Sequence, residues 1–229
     1  MLTGPLFFAN IKFWPTVPWS VPLLATYLWF FWQYLGGRWW PRSTADIRRK
    51  WLRANPLSTR AWRWALIAGY LAMTSSYALH WVVGRLMPLS FTIPAVLEQL
   101  PAFTLFSMLL MASVIAGVVE EAAFRGFMQG PLEKRHGIVT AIVVVSIVFG
   151  AAHLTDWQPS MTAARMGFIV LASVLYGIMV HLTNSILPGL VLHATGDAIG
   201  IVWIWWLSKR PRVPLSPRGL PARLPIRSF

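Results

Sequence analysis

Six ionisable residues of this chain stand in otherwise apolar stretches. They come from three separate runs, ASVIAGVVEEAAFRGF, IVVVSIVFGAAH and ILPGLVLHATGDAIG, and they are Glu120, Glu121, Arg125, His153, His193 and Asp197. A charged group in an apolar environment costs free energy and is rarely kept without a partner or a task. Carboxylates and imidazoles are also the side chains that most often transfer protons in catalysis. The residue types therefore predict acid–base chemistry in a buried cluster.

Helical spacing separates the roles of the two glutamates. Positions four apart share a helix face, whereas adjacent positions diverge by about 100°. Glu121 can therefore pair with Arg125, which leaves Glu120 as an unpaired carboxylate of the kind that a general base requires. His193 and Asp197 are also four apart, so Asp197 could orient the imidazole or present a polar face together with it.

Each of these residues taken alone could instead form a helix–helix hydrogen bond. Their combination, in a chain with seven acids and five histidines, favours a functional site. Phe149, one turn before His153, is expected to line the cavity. His136 fits a solvated turn, and His80 and His181 fit packing or interfacial positions. Gly126 and Gly130 are spaced for close helix packing.

Composition identifies the surroundings of this cluster as a membrane. Of 229 residues, 56% are hydrophobic and only 12% are charged. A membrane helix needs about 20 consecutive, mainly apolar residues. The chain has no cysteine, so disulfides, thiolate nucleophiles and cysteine-bound metals are excluded. Neither a zinc-protease HExxH motif nor a GxSxG elbow is present.

The apolar runs predict an all-α, polytopic membrane helix bundle with about six transmembrane spans. Residues 1–208 would form a single membrane domain, with its motif-bearing core at about 103–207. Tryptophans at the ends of the runs fit the membrane–water boundary. The predicted spans are Val17–Leu35, Trp64–Met87, Phe103–Phe127, Ile138–His153, Met166–Leu182 and Ile186–Leu207.

The net charge of +13 is concentrated in two basic stretches, Arg38–Arg63 and the proline-rich tail at 209–229. Their position beside apolar runs favours contact with anionic lipid headgroups over nucleic acid. The tail is expected to be flexible. Five predicted spans separate the stretches, which places them on opposite faces although both resemble cytoplasmic segments. Either a segment such as Ser90–Leu100 or Ile138–His153 does not fully cross, or a span is miscounted, or the tail is exported.

Order and spacing of the motifs resemble the CPBP intramembrane proteases, which include the CAAX prenyl-protein endopeptidases and the bacterial Abi proteins. The family pattern EExxxR matches Glu120 to Arg125, FxxxH matches Phe149 to His153, and Hxxx(N/D) matches His193 to Asp197. The resemblance covers about Ala112 to Gly200.

The resemblance implies that Glu120 activates a water for attack on a peptide bond, with His153 as its partner. His193 and Asp197 would stabilise the oxyanion, while Glu121 and Arg125 would support the first motif helix. We expect a metal-independent reaction without a cofactor. Zinc is the alternative, because Glu120, His153 and His193 match a known catalytic ligand set. Asp197 stands where Asn is commoner, so it must be protonated or act through His193.

The sequence therefore predicts an intramembrane endopeptidase that cuts a membrane-anchored peptide or protein. It is expected to be a multi-pass protein of the bacterial inner membrane. A non-catalytic scaffold or immunity-type protein is the first alternative, and a proton-coupled transporter is the second. The sequence gives no indication of oligomeric state or of a prenylated substrate.

Overall fold

The structure, a computed structural model, describes residues 3–86, 99–154 and 163–208. These residues form helices with short connections and no strand, which confirms the all-α class. The predicted basic tail at 209–229 lies outside the described residues, as does most of Ser90–Leu100. The helices are α1 (Thr3–Phe13), α2 (Ser20–Leu35), α3 (Ala45–Leu52), α4 (Thr59–Leu86), α5 (Ala102–Glu120), a π-helical segment (Glu121–Met128), α6 (Gln129–His136), α7 (Ile138–Ala152), α8 (Ala163–Thr183) and α9 (Leu187–Ser208).

Each predicted span coincides with a helix, but the number of membrane crossings is a separate question. Among the described residues, two helical stretches are long and apolar enough to cross a membrane, Ala102–His136 and Met166–Thr183. Ile138–Ala152 and Leu187–Trp203 are apolar but shorter. A bundle of six crossings therefore stays a prediction.

Helix α5 lies at the centre of the packing, because it contacts both α2 and α9. Its buried face joins α2 in an apolar cluster made of Leu24, Leu28, Met111, Ile115 and Val118. Helix α7 packs along α8, and α4 contacts α8 and α9. The motif-bearing helices are therefore neighbours in the fold, and α4 supports two of the elements around them.

The π-helical segment follows α5 without a break and continues into α6. Such segments are rare and occur frequently at functional sites. This one packs closely against α3. A Cβ atom on Gly126 would lie 2.7 Å from the carbonyl oxygen of Trp51, and one on Gly130 would lie 2.9 Å from the Trp51 ring. The predicted close-packing role of the two glycines is confirmed.

Arg53 of the first basic stretch contacts the end of the bundle where α8 connects to α9. Its guanidinium donates to the Val180 carbonyl oxygen at 3.2 Å and pairs with Glu133 at 3.0 Å. Its own carbonyl oxygen accepts a hydrogen bond from the backbone N–H of Ile186. Asn55 donates to the carbonyl oxygen of Asn184. This part of the first basic stretch therefore lies on the same side of the bundle as the α8–α9 connection.

Candidate active site

The fold brings the three predicted motifs together. Glu120 is the last residue of α5, and the π-helical segment carries Glu121 and Arg125. His153 directly follows α7, which ends at Ala152, one residue before the predicted end of this span. His193 and Asp197 lie in α9.

The carboxylate of Glu120 faces two imidazoles from different helices. Its Oε2 atom lies 3.6 Å from Nε2 of His193 and 3.8 Å from Nε2 of His153. Among the described residues, this oxygen has no hydrogen-bond partner. Glu120 therefore lies close to both imidazoles without a direct hydrogen bond to either.

His193 is held from several directions. Its Nδ1 lies 2.9 Å from Oε1 of Glu121, and an ionised carboxylate can only accept, so Nδ1–H is the donor. Tyr176 stacks on the imidazole with a centroid distance of 5.3 Å and an interplanar angle of 9°. These contacts direct Nε2 towards Glu120 and towards Oδ2 of Asp197, which is 3.7 Å away.

His153 is oriented by the last turn of its own helix. Its Nδ1 lies 2.8 Å from the carbonyl oxygen of Phe149, so Nδ1–H donates there and Nε2 faces Glu120. The Phe149 ring is buried, at 4.6 Å from the His153 ring and 6.2 Å from the His193 ring. Phe149 therefore lines the cluster, as its spacing predicts.

Glu121 and Arg125 form the ion pair that their spacing predicts. Both side chains are fully buried, and Nη1 of Arg125 lies 3.4 Å from Oε1 of Glu121. The guanidinium also lies 4.4 Å from the ring centre of Phe149, within the range of a cation–π interaction. A Cβ atom on Gly189 would lie 2.9 Å from Oε2 of Glu121. Glycine therefore lets α9 approach this carboxylate closely.

Exposure separates the cluster into two sides. The side chains of Glu120, His153 and Asp197 are 21%, 27% and 43% exposed. Those of Glu121 and Arg125 are fully buried. We call the first three residues the open side and the last two the closed side. The exposed side-chain area of the cluster lies on the open side, although Oε2 of Glu120 itself is buried.

Sequence reasoning missed the tyrosines that support α9. Tyr176 stacks on His193, and Tyr77 of α4 donates its hydroxyl to the carbonyl oxygen of Gly196 at 3.0 Å. Tyr70, also in α4, lies 3.1 Å from the hydroxyl of Thr195. The seven-residue spacing of Tyr70 and Tyr77 shows that they share a helix face. It does not indicate which helix they contact.

The remaining histidines lie away from the cluster where their side chains are described. His136 ends α6 and is exposed, as expected for a solvated position. His181 is half exposed, and its Nδ1 lies 3.9 Å from Oε1 of Glu133. The side chain of His80 is outside the described part of the structure.

No group of three or more His, Asp or Glu residues within 3–86, 99–154 and 163–208 has an arrangement that could hold a metal ion. The zinc ligand set of Glu120, His153 and His193 stays an alternative prediction from the sequence.

Residues 102–199 match the family model of type II CAAX prenyl endopeptidases, Rce1-like. This match confirms the resemblance seen in the motifs and covers less than half of the chain. Neither the curated proteins nor the solved structures include a match to the chain.

The Rce1-like segment contains all three motifs, from Glu120 to Asp197. The matched family consists of membrane-embedded proteases, which act on membrane-associated protein substrates. Helices α1 to α4, including the tyrosines of α4, precede the Rce1-like segment. The individual roles of the clustered residues stay predictions.

Proposed function

We propose that this protein is a multi-pass intramembrane endopeptidase in which Glu120 activates water for hydrolysis of a peptide bond. The observation that carries the proposal is the position of Glu120. Its Oε2 atom is buried and faces the Nε2 atoms of two histidines, while the side chain as a whole is 21% exposed. A partly desolvated carboxylate next to fixed imidazoles is suited to general-base catalysis.

In the first step, a water molecule lies between Glu120 and His153. Glu120 takes one proton, and the resulting hydroxide attacks the carbonyl carbon of the scissile bond. The carbonyl π electrons move to the oxygen and form a tetrahedral oxyanion. The proton on Glu120 then passes to the leaving nitrogen as the C–N bond breaks. The products are a carboxylic acid and an amine, so no further reactant is needed.

His193 is positioned to stabilise the oxyanion. Since Glu121 engages Nδ1–H, the imidazolium form of His193 directs its second N–H, on Nε2, towards the open side. A fixed donor in a site with little water stabilises developing negative charge strongly. Asp197 lies 3.7 Å from this nitrogen and supports that form through its charge. In this proposal Asp197 acts through His193, which accounts for Asp at a position where Asn is commoner.

The proposed substrate is a membrane-anchored peptide or protein in a bilayer with anionic headgroups, and the proposed location is the bacterial inner membrane. The Rce1-like match supports the substrate class. The first basic stretch supports the headgroup contact: Arg49 and Lys50 of the short helix α3 directly precede Trp51. Nucleic acid is not part of the proposal.

The central test is Glu120→Gln in the purified full-length protein. Glutamine is nearly isosteric but cannot accept the proton from water. We expect cleavage of a membrane-anchored test peptide to fall by a factor of about 10² to 10⁴. Thermal unfolding should stay unchanged, because the side chain is partly exposed and its Oε2 has no hydrogen-bond partner among the described residues.

Glu121→Gln is the matched control, because it makes the same chemical change at the adjacent position. Here the charge that balances Arg125 is removed from a buried site, so the variant should unfold at a lower temperature. Its folded fraction should keep more activity than Glu120→Gln. Full activity in Glu120→Gln would end the general-base proposal.

A chelator tests whether cleavage depends on a bound metal ion. Cleavage by the wild-type protein should be the same with and without a chelator. Loss of activity that is restored by added zinc would make Glu120, His153 and His193 ligands instead. Identical membrane-peptide products in cells with and without this chain would favour the non-catalytic scaffold.

A further inference from the structure

Four buried polar residues lie on elements that pack around the closed side, namely the π-helical segment, α6, α7 and α8. They are Arg125, Gln129, Ser146 and Ser173, which we call the serine–arginine cluster. Their exposed fractions are 0%, 0%, 2% and 1%. The proposed hydrolysis uses Arg125 only as the partner of Glu121 and does not use the other three residues.

The cluster is short of hydrogen bonds. In the described part of the chain, six of its buried polar atoms have no hydrogen-bond partner: Nε, Nη1 and Nη2 of Arg125, Oε1 of Gln129, and the hydroxyl oxygens of Ser146 and Ser173. The ion pair with Glu121 is close in distance but lacks hydrogen-bond geometry. Leaving a buried polar group unsatisfied costs about 1 to 3 kcal/mol for a neutral group and more for a charged one.

Packing of α7 against α8 places Ser146 and Ser173 at the same height along the axes of the two helices. A Cβ atom on Gly177 would meet Ile142 at 3.3 Å, and one on Gly150 would meet Val170 at 2.8 Å. Ser146 lies four residues from both Ile142 and Gly150 in α7. Ser173 lies four residues from Gly177 and three from Val170 in α8. The two buried serines are therefore midway between these contacts on facing helices.

Arg125 of the π-helical segment reaches the level of the two serines. The guanidinium of Arg125 lies 4.4 Å from the Phe149 ring and 5.3 Å from the Tyr176 ring. Phe149 and Tyr176 are each three residues after a cluster serine, which places them on the same helix faces. Gln129 donates to the Gly177 carbonyl oxygen at 2.9 Å. Because Gly177 is four residues after Ser173, the Gln129 side chain lies one helical turn from the level of the serines.

We infer that the serine–arginine cluster is an internal binding site for ordered water, which links the guanidinium of Arg125 to the hydroxyls of Ser146 and Ser173. Water fits because Arg125 offers several N–H donors, and the Gln129 Oε1 atom and the two serine hydroxyls can accept hydrogen bonds. A buried water usually makes about three hydrogen bonds. The aromatic rings interact with the face of the guanidinium, whereas its N–H donors lie in its plane. An anion fits less well, because Glu121 already balances the charge of Arg125.

The bound water fixes the position of Arg125. Arg125 positions Glu121, and Glu121 accepts the Nδ1–H of His193. The inference concerns the hydration of the fold and does not depend on whether the protein is a protease.

The direct test is a crystal structure of the full-length protein at a resolution that shows ordered water. We expect density within hydrogen-bonding distance of an Arg125 nitrogen and of at least one of the two serine hydroxyls. Protein groups bonded to all three Arg125 nitrogens would overturn the inference. A halide at this position, recognised by the anomalous signal of bromide, would overturn it as well.

The second test is the double variant Ser146→Ala and Ser173→Ala, with Ser113→Ala as the matched control. Ser113 is equally buried, but its hydroxyl donates to the carbonyl oxygen of Leu109 in its own helix. If water joins the two cluster hydroxyls to Arg125, the double variant should unfold about 2 to 4 °C lower for each lost bond. An unfolding temperature equal to or above that of the control would overturn the inference.

Discussion

Glu120 and Glu121 are consecutive residues of one chemical type, yet the fold gives them different surroundings. Glu120 belongs to the open side, where the nearest polar groups are imidazole nitrogens 3.6 and 3.8 Å away. Glu121 belongs to the closed side, where Nδ1 of His193 lies 2.9 Å away and Arg125 balances its charge.

The difference shows how one cluster can meet two conflicting requirements. A reacting carboxylate needs access to water and substrate, which a fully buried ion pair does not have. An imidazole that must keep its orientation needs fixed partners, which solvent does not provide. The open side is therefore expected to control the rate, and the closed side is expected to control stability and geometry.

The largest expected effect is the loss of stability on replacement of Arg125, which tests the role of the closed side. Arg125→Met removes the permanent cation of the buried pair and leaves Glu121 with only the N–H of His193 opposite its charge. We expect the free energy of unfolding to fall by about 3 to 5 kcal/mol. The double variant Glu121→Gln with Arg125→Met should recover part of this loss, because neither charge remains. Thermal and denaturant unfolding in a fixed detergent measure both values. An unchanged unfolding temperature in Arg125→Met would contradict the assigned role of the closed side.

His153→Gln tests the open side. The side chain is 27% exposed, so the variant should fold normally. The proposed water would lose its imidazole partner, and the rate of cleavage should fall by about 10²-fold, equivalent to about 2.7 kcal/mol. Comparison of kcat and KM in the peptide assay provides the measurement. A changed KM with unchanged kcat would assign His153 to substrate binding instead.

Gly126→Ala tests whether the closed side depends on α3. The added Cβ would lie 2.7 Å from the Trp51 backbone oxygen, which cannot move independently of its helix. We expect a loss of about 1 to 3 kcal/mol in stability. Gly167→Ala is the matched control, because no atom within the described ranges lies within 4 Å of its added Cβ. Equal unfolding temperatures for the two variants would rule out this dependence.

The smallest expected effect concerns the support of α9 by α4. Tyr77→Phe removes the hydrogen bond to the Gly196 carbonyl oxygen and should cost about 1 kcal/mol. Tyr70→Phe should cost less, because the hydroxyl of its partner Thr195 also donates to the Val191 carbonyl oxygen within α9. Thermal unfolding of the two variants provides the comparison. A larger loss for Tyr70→Phe would reverse the relative importance of the two contacts.

Much of the fold and of the candidate site follows from the sequence. Apolar runs of helical length predict an all-helical protein, and a helix occurs at each predicted position. The four-residue spacing of Glu121 and Arg125 predicts their ion pair, because a single helix determines the geometry of such a pair. The three motifs identify the residues that cluster and agree with the Rce1-like match.

Only the tertiary structure decides contacts between helices, because these depend on how the helices are rotated and shifted against one another. The spacing of Glu121 predicts its ion pair with Arg125 but not its contact with His193, which is 72 residues away. Likewise, no spacing within α4 indicates that Tyr77 bonds to α9. Side-chain type and periodicity describe the face that a helix presents, whereas packing determines which partner meets that face.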